Sequence, residues 1–174
     1  MSRLEPQSAD PLTQQAPFWQ PIGKLVFAFG NLEQQIDWCI SALLQAGRKH
    51  EAPSVASQIR NLCSRIALLE ALFRLQIADK ARQAELHGII KQLRVLIKFR
   101  NGLLHGPWGA YSPETAAWQK PRTDPSALSP WSFEVTVEDI DEHTRLAAQT
   151  GAALFDLVQR VAEECTAACD GPRS

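Results

Sequence analysis

The chain contains no run of about 18 consecutive apolar residues, so no helix is expected to cross a bilayer. Its first residues lack the basic-then-apolar order of a secretory leader, and a cytoplasmic location is the expectation. It also lacks any C-x-x-C pair. Cys39, Cys63, Cys165 and Cys169 are therefore read as reduced thiols, not as a disulfide framework. Cys165 and Cys169 stand one helical turn apart, but no further residues with ligand spacing accompany them, so no metal and no cofactor are expected. There is no glycine-rich phosphate loop, no Ser-His-Asp ordering and no internal repeat. A charge excess is missing too: Lys and Arg number 18 against 19 Asp and Glu, a formal net charge of -1. Any contact with nucleic acid must come from a local patch, because the whole molecule exerts no net attraction.

What remains is the profile of an ordinary globular domain, 174 residues long, 45% hydrophobic and 21% charged. Residues 1–20 carry Pro6, Pro11 and Pro17 among Gln, Ser and Ala, and read as an extended arm whose Phe18-Trp19 pair docks on the body. A single helical domain is expected over 21–169, with an insertion at about 106–136 and a frayed tail at 170–174. Helix one is expected to start at Pro21, a favourable first-turn residue. Its apolar stripe is Ile22, Leu25, Val26, Phe29, Leu32, Ile36, Ile40, Leu43 and Leu44. Ser54 is the expected N-cap of helix two. That helix has a main stripe through Val55, Ile59, Leu62, Cys63, Ile66, Leu69, Phe73 and Ile77. Leu68, Leu72 and Leu75 add apolar surface on another side, which suits a central helix or a self-association face.

Helix three is expected from about Asp79 to Leu104, with Leu86, Ile89, Ile90, Leu93, Leu96, Ile97 and Leu104 on one face. Gly106-Pro107 then stops it. At about 100° per residue, Arg100 falls inside that apolar stripe. A guanidinium keeps its charge when buried, so it must be paired or put to use. By the same count Glu33 lies inside the stripe of helix one. Two inward ions of opposite sign are natural partners, and Glu33 is expected to orient Arg100, either for chemistry or as a bridge that fixes helix register. Five residues beyond Arg100 comes His105, the side-chain type suited to proton transfer near neutrality. A second row, His87, Lys91, Arg94 and Lys98, leads along helix three toward His105. It reads as a phosphate track for RNA or as a solvated basic face.

If helix three stays regular, Arg100 and His105 point about 140° apart around its axis. Unwinding at Gly102 or Gly106, or a second copy of the chain, would relieve this. Between Gly106 and Pro130 lie Trp108, Tyr111 and Trp118. Exposed aromatics there could stack on unpaired bases, or else cap the core. The alternating segment 131–137 predicts a strand, paired with another inside 110–119 as a small hairpin. Thr136-Val137-Glu138-Asp139 has the form of a capping box and opens the last helix. That helix has Ile140, Ala147, Gly151, Leu154, Val158, Val161 and Ala162 on its inner face, and small Ala147 and Gly151 allow a neighbouring helix to come close. His50 and His143 sit in surface-like contexts.

The run Arg100-Asn101-Gly102-Leu103-Leu104-His105-Gly106, placed at a helix end, resembles the HEPN family (higher eukaryotes and prokaryotes nucleotide-binding domains) over roughly Pro21 to Cys169. The resemblance implies an all-α fold: an antiparallel four-helix bundle with a small β-hairpin insertion before the last helix, assembled as a homodimer. It further implies a metal-independent endoribonuclease. There a 2′-hydroxyl attacks the adjacent phosphate, with His105 moving protons and Arg100 and Asn101 binding the phosphate. On the residue spacing given above, Glu33 would hold the arginine, and Lys91, Arg94, Lys98, His87 and Trp108 would contact the RNA. A toxin role would bring an antitoxin protein as partner. A non-catalytic interaction or nucleotide-binding module built from the same helices is the alternative. In a purely structural reading, the two inward ions form a core bridge and His105 caps a helix.

Overall fold

The computed structural model describes residues 11–45, 59–105, 108–111, 115–119 and 132–169, and the statements below concern these. Four helices carry most of them: α1 (Pro11–Gln45), α2 (Leu62–Gln76), α3 (Lys80–His105) and α4 (Val137–Cys169). Between α3 and α4 lie β1 (Trp108–Tyr111), β2 (Thr115–Gln119) and β3 (Ser132–Thr136). The protein is thus predominantly helical, and no helix is long and apolar enough to cross a membrane. The chain divides into two compact units. An all-helical unit comprises Ala28–Leu96 with Arg145–Ser174, and a sheet-bearing unit comprises Met1–Phe27 with Ile97–Thr144.

The all-helical unit buries Phe29, Leu32, Ile36 and Ile40 of α1 with Ile66, Leu69 and Phe73 of α2, Leu86, Ile90 and Leu93 of α3, and Leu154 and Val158 of α4. Each set recurs at three- and four-residue steps, so each helix presents one apolar stripe. Side-chain pairs give the helix directions. Arg82 meets Glu164, Glu85 meets Arg160 and Gln92 meets Thr150, so α3 and α4 run in opposite senses. Residues 77–79 join α2 to α3 as a tight helical hairpin. In it the Asp79 carboxylate accepts from the Ala81 N–H at 2.9 Å, capping α3.

By contrast, α1 runs in the same sense as α2 and α4. Arg65 meets Asp37 and the Gln76 amide donates to the Leu43 carbonyl, while Gly151 lies at Leu32 and Gln35 and Leu154 at Cys39. The expected antiparallel order therefore holds for α2–α3 and α3–α4 and not for α1. A Cβ on Gly151 would come within 3.2 Å of Leu32 and closer still to the Gln35 amide, so the missing side chain lets α4 approach α1.

In the sheet-bearing unit the strands form one antiparallel sheet of order β1-β2-β3. β2 and β3 pair in continuous register from Thr115↔Thr136 to Gln119↔Ser132, as the alternation in the sequence predicted. β1 adds a further strand through Trp108↔Trp118, with an irregularity before Tyr111. The capping box at the start of α4 is present and reciprocal. The Asp139 N–H donates to the Thr136 hydroxyl at 3.1 Å, and the Thr136 N–H donates to the Asp139 carboxylate at 2.9 Å.

Two expected helix starts are corrected. α1 begins at Pro11, so 11–20 is helix and not extended arm, and both Pro17 and Pro21 lie inside it. Each proline removes one intrahelical hydrogen bond. Burial of Phe18, 1% exposed, offsets that loss, while Trp19 remains 54% exposed. α2 begins at Leu62, where the Asn61 side chain accepts from the Cys63 N–H at 2.8 Å. Ser54 and His50 lie outside the described residues.

Candidate functional site

The carboxyl end of α3 belongs to the sheet-bearing unit, and its helical periodicity decides what each residue there faces. Leu96 and Ile97 are buried, then Leu103; Leu104, expected in the stripe, is only half-buried. Arg100 lies between these apolar positions and is half-buried, as the angular count required. Its guanidinium donates to the Asn101 side-chain oxygen at 3.0 Å. Asn101 is exposed, and so is His105, the last residue of the helix.

α3 continues without a break through Gly102, so no unwinding there brings Arg100 and His105 to one side; Gly106 lies outside the described residues. A regular helix leaves them about 140° apart around the axis and about 7.5 Å apart along it. Within one chain the two residues flank the helix end from different sides.

A residue the sequence reading passed over completes this region. His143 of α4 is half-buried, and its ring stacks on Phe99 with centroids 3.6 Å apart and planes 9° from parallel. Its Nδ1 lies 2.7 Å from the Asp139 carbonyl, an oxygen that can only accept, so Nδ1–H is the donor of this bond. Nothing in the local sequence marks His143, because its partner Phe99 comes from a different helix far away in the chain. The adjacent capping box sets the angle at which α4 starts and so helps to deliver the ring.

The basic row is on the outside of α3, with His87, Lys91, Arg94 and Lys98 all exposed. Arg94 shares its charge with Glu70 at 3.6 Å. Trp108 opens β1, and its side chain lies outside the described residues.

Glu33 is corrected. Its carboxylate is half-buried, but the cation it meets is Arg65 of α2, at 3.6 Å. Arg65 is only 14% exposed in its side chain. It also makes two bonds to Asp37, at 3.0 and 3.1 Å, and one to the Ile59 carbonyl at 2.9 Å. The sequence reading missed this arginine because it placed helix two from Ser54. With the helix starting at Leu62, Arg65 stands in the first turns, in reach of the acids of α1.

Cys39 is buried, and desolvation pushes its thiol up to about 12, which keeps it protonated and unreactive near neutral pH. Cys63 is exposed. No family model matches the chain, and neither does any curated protein or solved structure.

Proposed function

We propose that the chain is an endoribonuclease built on a helical bundle of HEPN type, with Arg100, Asn101 and His105 at its active site. The observation that carries the reading is the end of α3. There a half-buried arginine is bonded to its neighbouring asparagine, and an exposed histidine closes the same helix. In the reaction the ribose 2′-oxygen attacks the adjacent phosphorus, and the bond to the 5′-oxygen breaks. The products are a 2′,3′-cyclic phosphate and a free 5′-hydroxyl, and the reaction needs no divalent ion. Arg100 binds the non-bridging oxygens and the charge that grows on them. Asn101 positions the guanidinium, the role the sequence reading had given to Glu33. His105 takes the proton of the 2′-hydroxyl or returns one to the leaving oxygen.

Because Arg100 and His105 diverge around α3, a cleft that uses both on one phosphate is formed with a second copy of the chain. His87, Lys91, Arg94 and Lys98 extend the phosphate contacts, and Trp108 would stack on a base. Pairing with an antitoxin protein would follow if the enzyme restrains growth.

The test is incubation of the pure protein with structured and single-stranded RNA in EDTA, followed by analysis of the ends. Cleavage to 2′,3′-cyclic phosphates that His105→Ala and Arg100→Ala abolish is the expected result. Intact RNA, or cleavage unchanged by His105→Ala, removes the proposal. The same divergence favours a second reading, in which each chain binds RNA or a nucleotide without turnover. That reading predicts binding, weakened by Arg100→Ala, with no products.

A further inference from the structure

The first part of α1, within the sheet-bearing unit, leaves two large rings in water: Phe27 is 72% exposed and Trp19 54%. Among the described residues neither ring stacks on another, whereas Trp38 of the all-helical unit is packed against Phe155 with centroids 4.3 Å apart. Gly23 lies midway between Trp19 and Phe27, exposed and with nothing within 4 Å of where a Cβ would stand. The three residues follow one another at four-residue steps, so they form a single ridge on the helix surface whose centre is bare backbone. Glycine is a poor residue inside a helix, and no close neighbour requires it here. On one side of the ridge the next row holds Gln20 and Lys24, both exposed. On the other side stands Val26, 47% exposed.

The spacing and the charge of this notch say what fits it. Trp19 and Phe27 leave a helix at points about 12 Å apart along its axis. Stacked bases repeat at about 3.4 Å, so the notch has room for two or three of them laid between the rings. A ring at each end and bare backbone beneath offer flat apolar contact, which suits any base that is unpaired. From 11 to 32 the chain contains no acid, and Lys24 is the one charged residue of that stretch. A phosphate backbone running along the Gln20–Lys24 row would thus meet a cation and no repelling charge on this helix. A ridge this short is poorly suited to a protein partner, since a stable interface buries about 800 Å² on each side. A duplex is unsuited too, because its bases are stacked on one another and closed to both rings.

We propose that α1 holds a short run of consecutive unpaired bases between Trp19 and Phe27, over Gly23, with Lys24 on a phosphate. The inference rests on the reading of the chain as a protein that handles RNA, and adds where the strand is gripped and that it is single. None of these residues belongs to the proposed active site.

The experiment is fluorescence anisotropy of a labelled short deoxyadenylate strand with the full chain; the strand lacks the 2′-hydroxyl and so is not cut. The same strand annealed to its complement is the comparison. The single strand is expected to bind, and the duplex to bind at least about tenfold more weakly. Trp19→Ala and Phe27→Ala should each weaken single-strand binding about tenfold, while Phe27→Tyr, which keeps the ring, should bind like the wild type. Gly23→Leu has open space in the free chain and should keep its thermal midpoint. It fills the notch, however, and should also cost about tenfold in binding. Lys24→Gln should reduce the slope of binding against salt by about one ion. A wild type that binds neither strand, or holds the duplex as tightly, overturns the proposal. So do Trp19→Ala and Gly23→Leu variants that bind like the wild type, including the case where light scattering shows a change in self-association alone. Cleavage assays on RNA separate the two readings. Uncut RNA with notch-dependent binding removes the nuclease and keeps the notch; cut RNA with notch-independent binding does the reverse.

Discussion

Arg65 and Arg100 both lie on helices at positions turned from solvent, yet they are treated differently by their surroundings. Arg65, in the all-helical unit, has two carboxylates and a backbone carbonyl around its guanidinium. Its charge is neutralised and its donors are largely used, so it ties the start of α2 to the middle of α1. Arg100, in the sheet-bearing unit, bonds a neutral amide one residue along the same helix. Among the described residues, Arg65 is thus tied to acids of another helix, and Arg100 is bonded to a residue of its own. Burial of an arginine alone therefore does not mark a functional site; what its guanidinium is bonded to has to be weighed beside it.

The largest expected effects test the Arg100 side of this comparison. Arg100→Ala and His105→Ala should each lower RNA cleavage by at least about 100-fold, near 3 kcal/mol in transition-state stabilisation. Both should remain folded, and a fluorescence-based cleavage assay beside a thermal melt reads the two quantities. If Arg100→Ala unfolds the chain instead, the arginine is an anchor like Arg65 and the contrast collapses.

Next comes Arg65→Met. It leaves Glu33 and Asp37 facing apolar surface with no cation. A fully buried pair broken in this way costs 3–5 kcal/mol. These carboxylates are about one third exposed, at 30% and 37%, so solvent relieves part of the cost. A loss of about 2 kcal/mol in urea unfolding is expected, with the per-molecule cleavage rate of the folded fraction unchanged. A fall in that rate at full folding would mean that Glu33 does reach the active site through Arg65.

Thr136→Ala should cost about 1 kcal/mol, the usual worth of an N-cap. It bears on the comparison because Asp139, the other half of the cap, also provides the carbonyl that holds His143 beside Phe99. Proton resonances of the His143 ring should shift in this variant while those of His87 stay in place. An unmoved His143 signal would show that the stack needs no cap.

Much of this fold could be read from residue spacing, since amphipathic period and capping chemistry are local. The stripe of α3, its half-buried Arg100 and the Thr136–Asp139 box all follow from residues within a few positions of one another, and the alternation at 132–136 and the small Gly151 signalled a strand and a close approach from their own windows. The rest depended on which helix neighbours which. Glu33 was correctly recognised as an acid turned inward, but two arginines were available to it, and the angular count gives direction without distance. The choice turned on where α2 begins. The Phe99–His143 stack joins two helices with the sheet between them in sequence, so no window contains it. Phe18 is buried in keeping with the expected docking of its segment, but the helix it sits in was hidden for another reason: prolines at 17 and 21 argued for an extended arm, and the burial of Phe18 in α1 outweighed that local preference. The exposed face of α1 was misjudged at Val26, which continues the apolar pattern yet turns outward.

The smallest expected effect concerns an ion pair that resembles Arg65 in geometry and differs in setting. Arg82 meets both oxygens of Glu164, at 2.5 and 2.6 Å, on the surface of the all-helical unit. The hydrogen bond from Arg82 holds the Glu164 carboxyl below its ordinary 4.5, aided by the charges of Arg82 and Arg160 and opposed by desolvation. A depressed carboxylate adds stability above its unfolded value and loses it as pH falls through the folded one. The advantage of wild type over Glu164→Gln should thus be constant from pH 7 to about 5 and vanish progressively below 4.5. Water and salt screen a surface pair, so the gap in thermal midpoint should be small and should close in 1 M salt even at pH 7. Arg65→Met, by contrast, should keep most of its deficit in the same salt, because the low exposure of that guanidinium keeps counterions away. If salt erased both deficits equally, burial would not be what distinguishes the anchoring arginine from its surface counterpart.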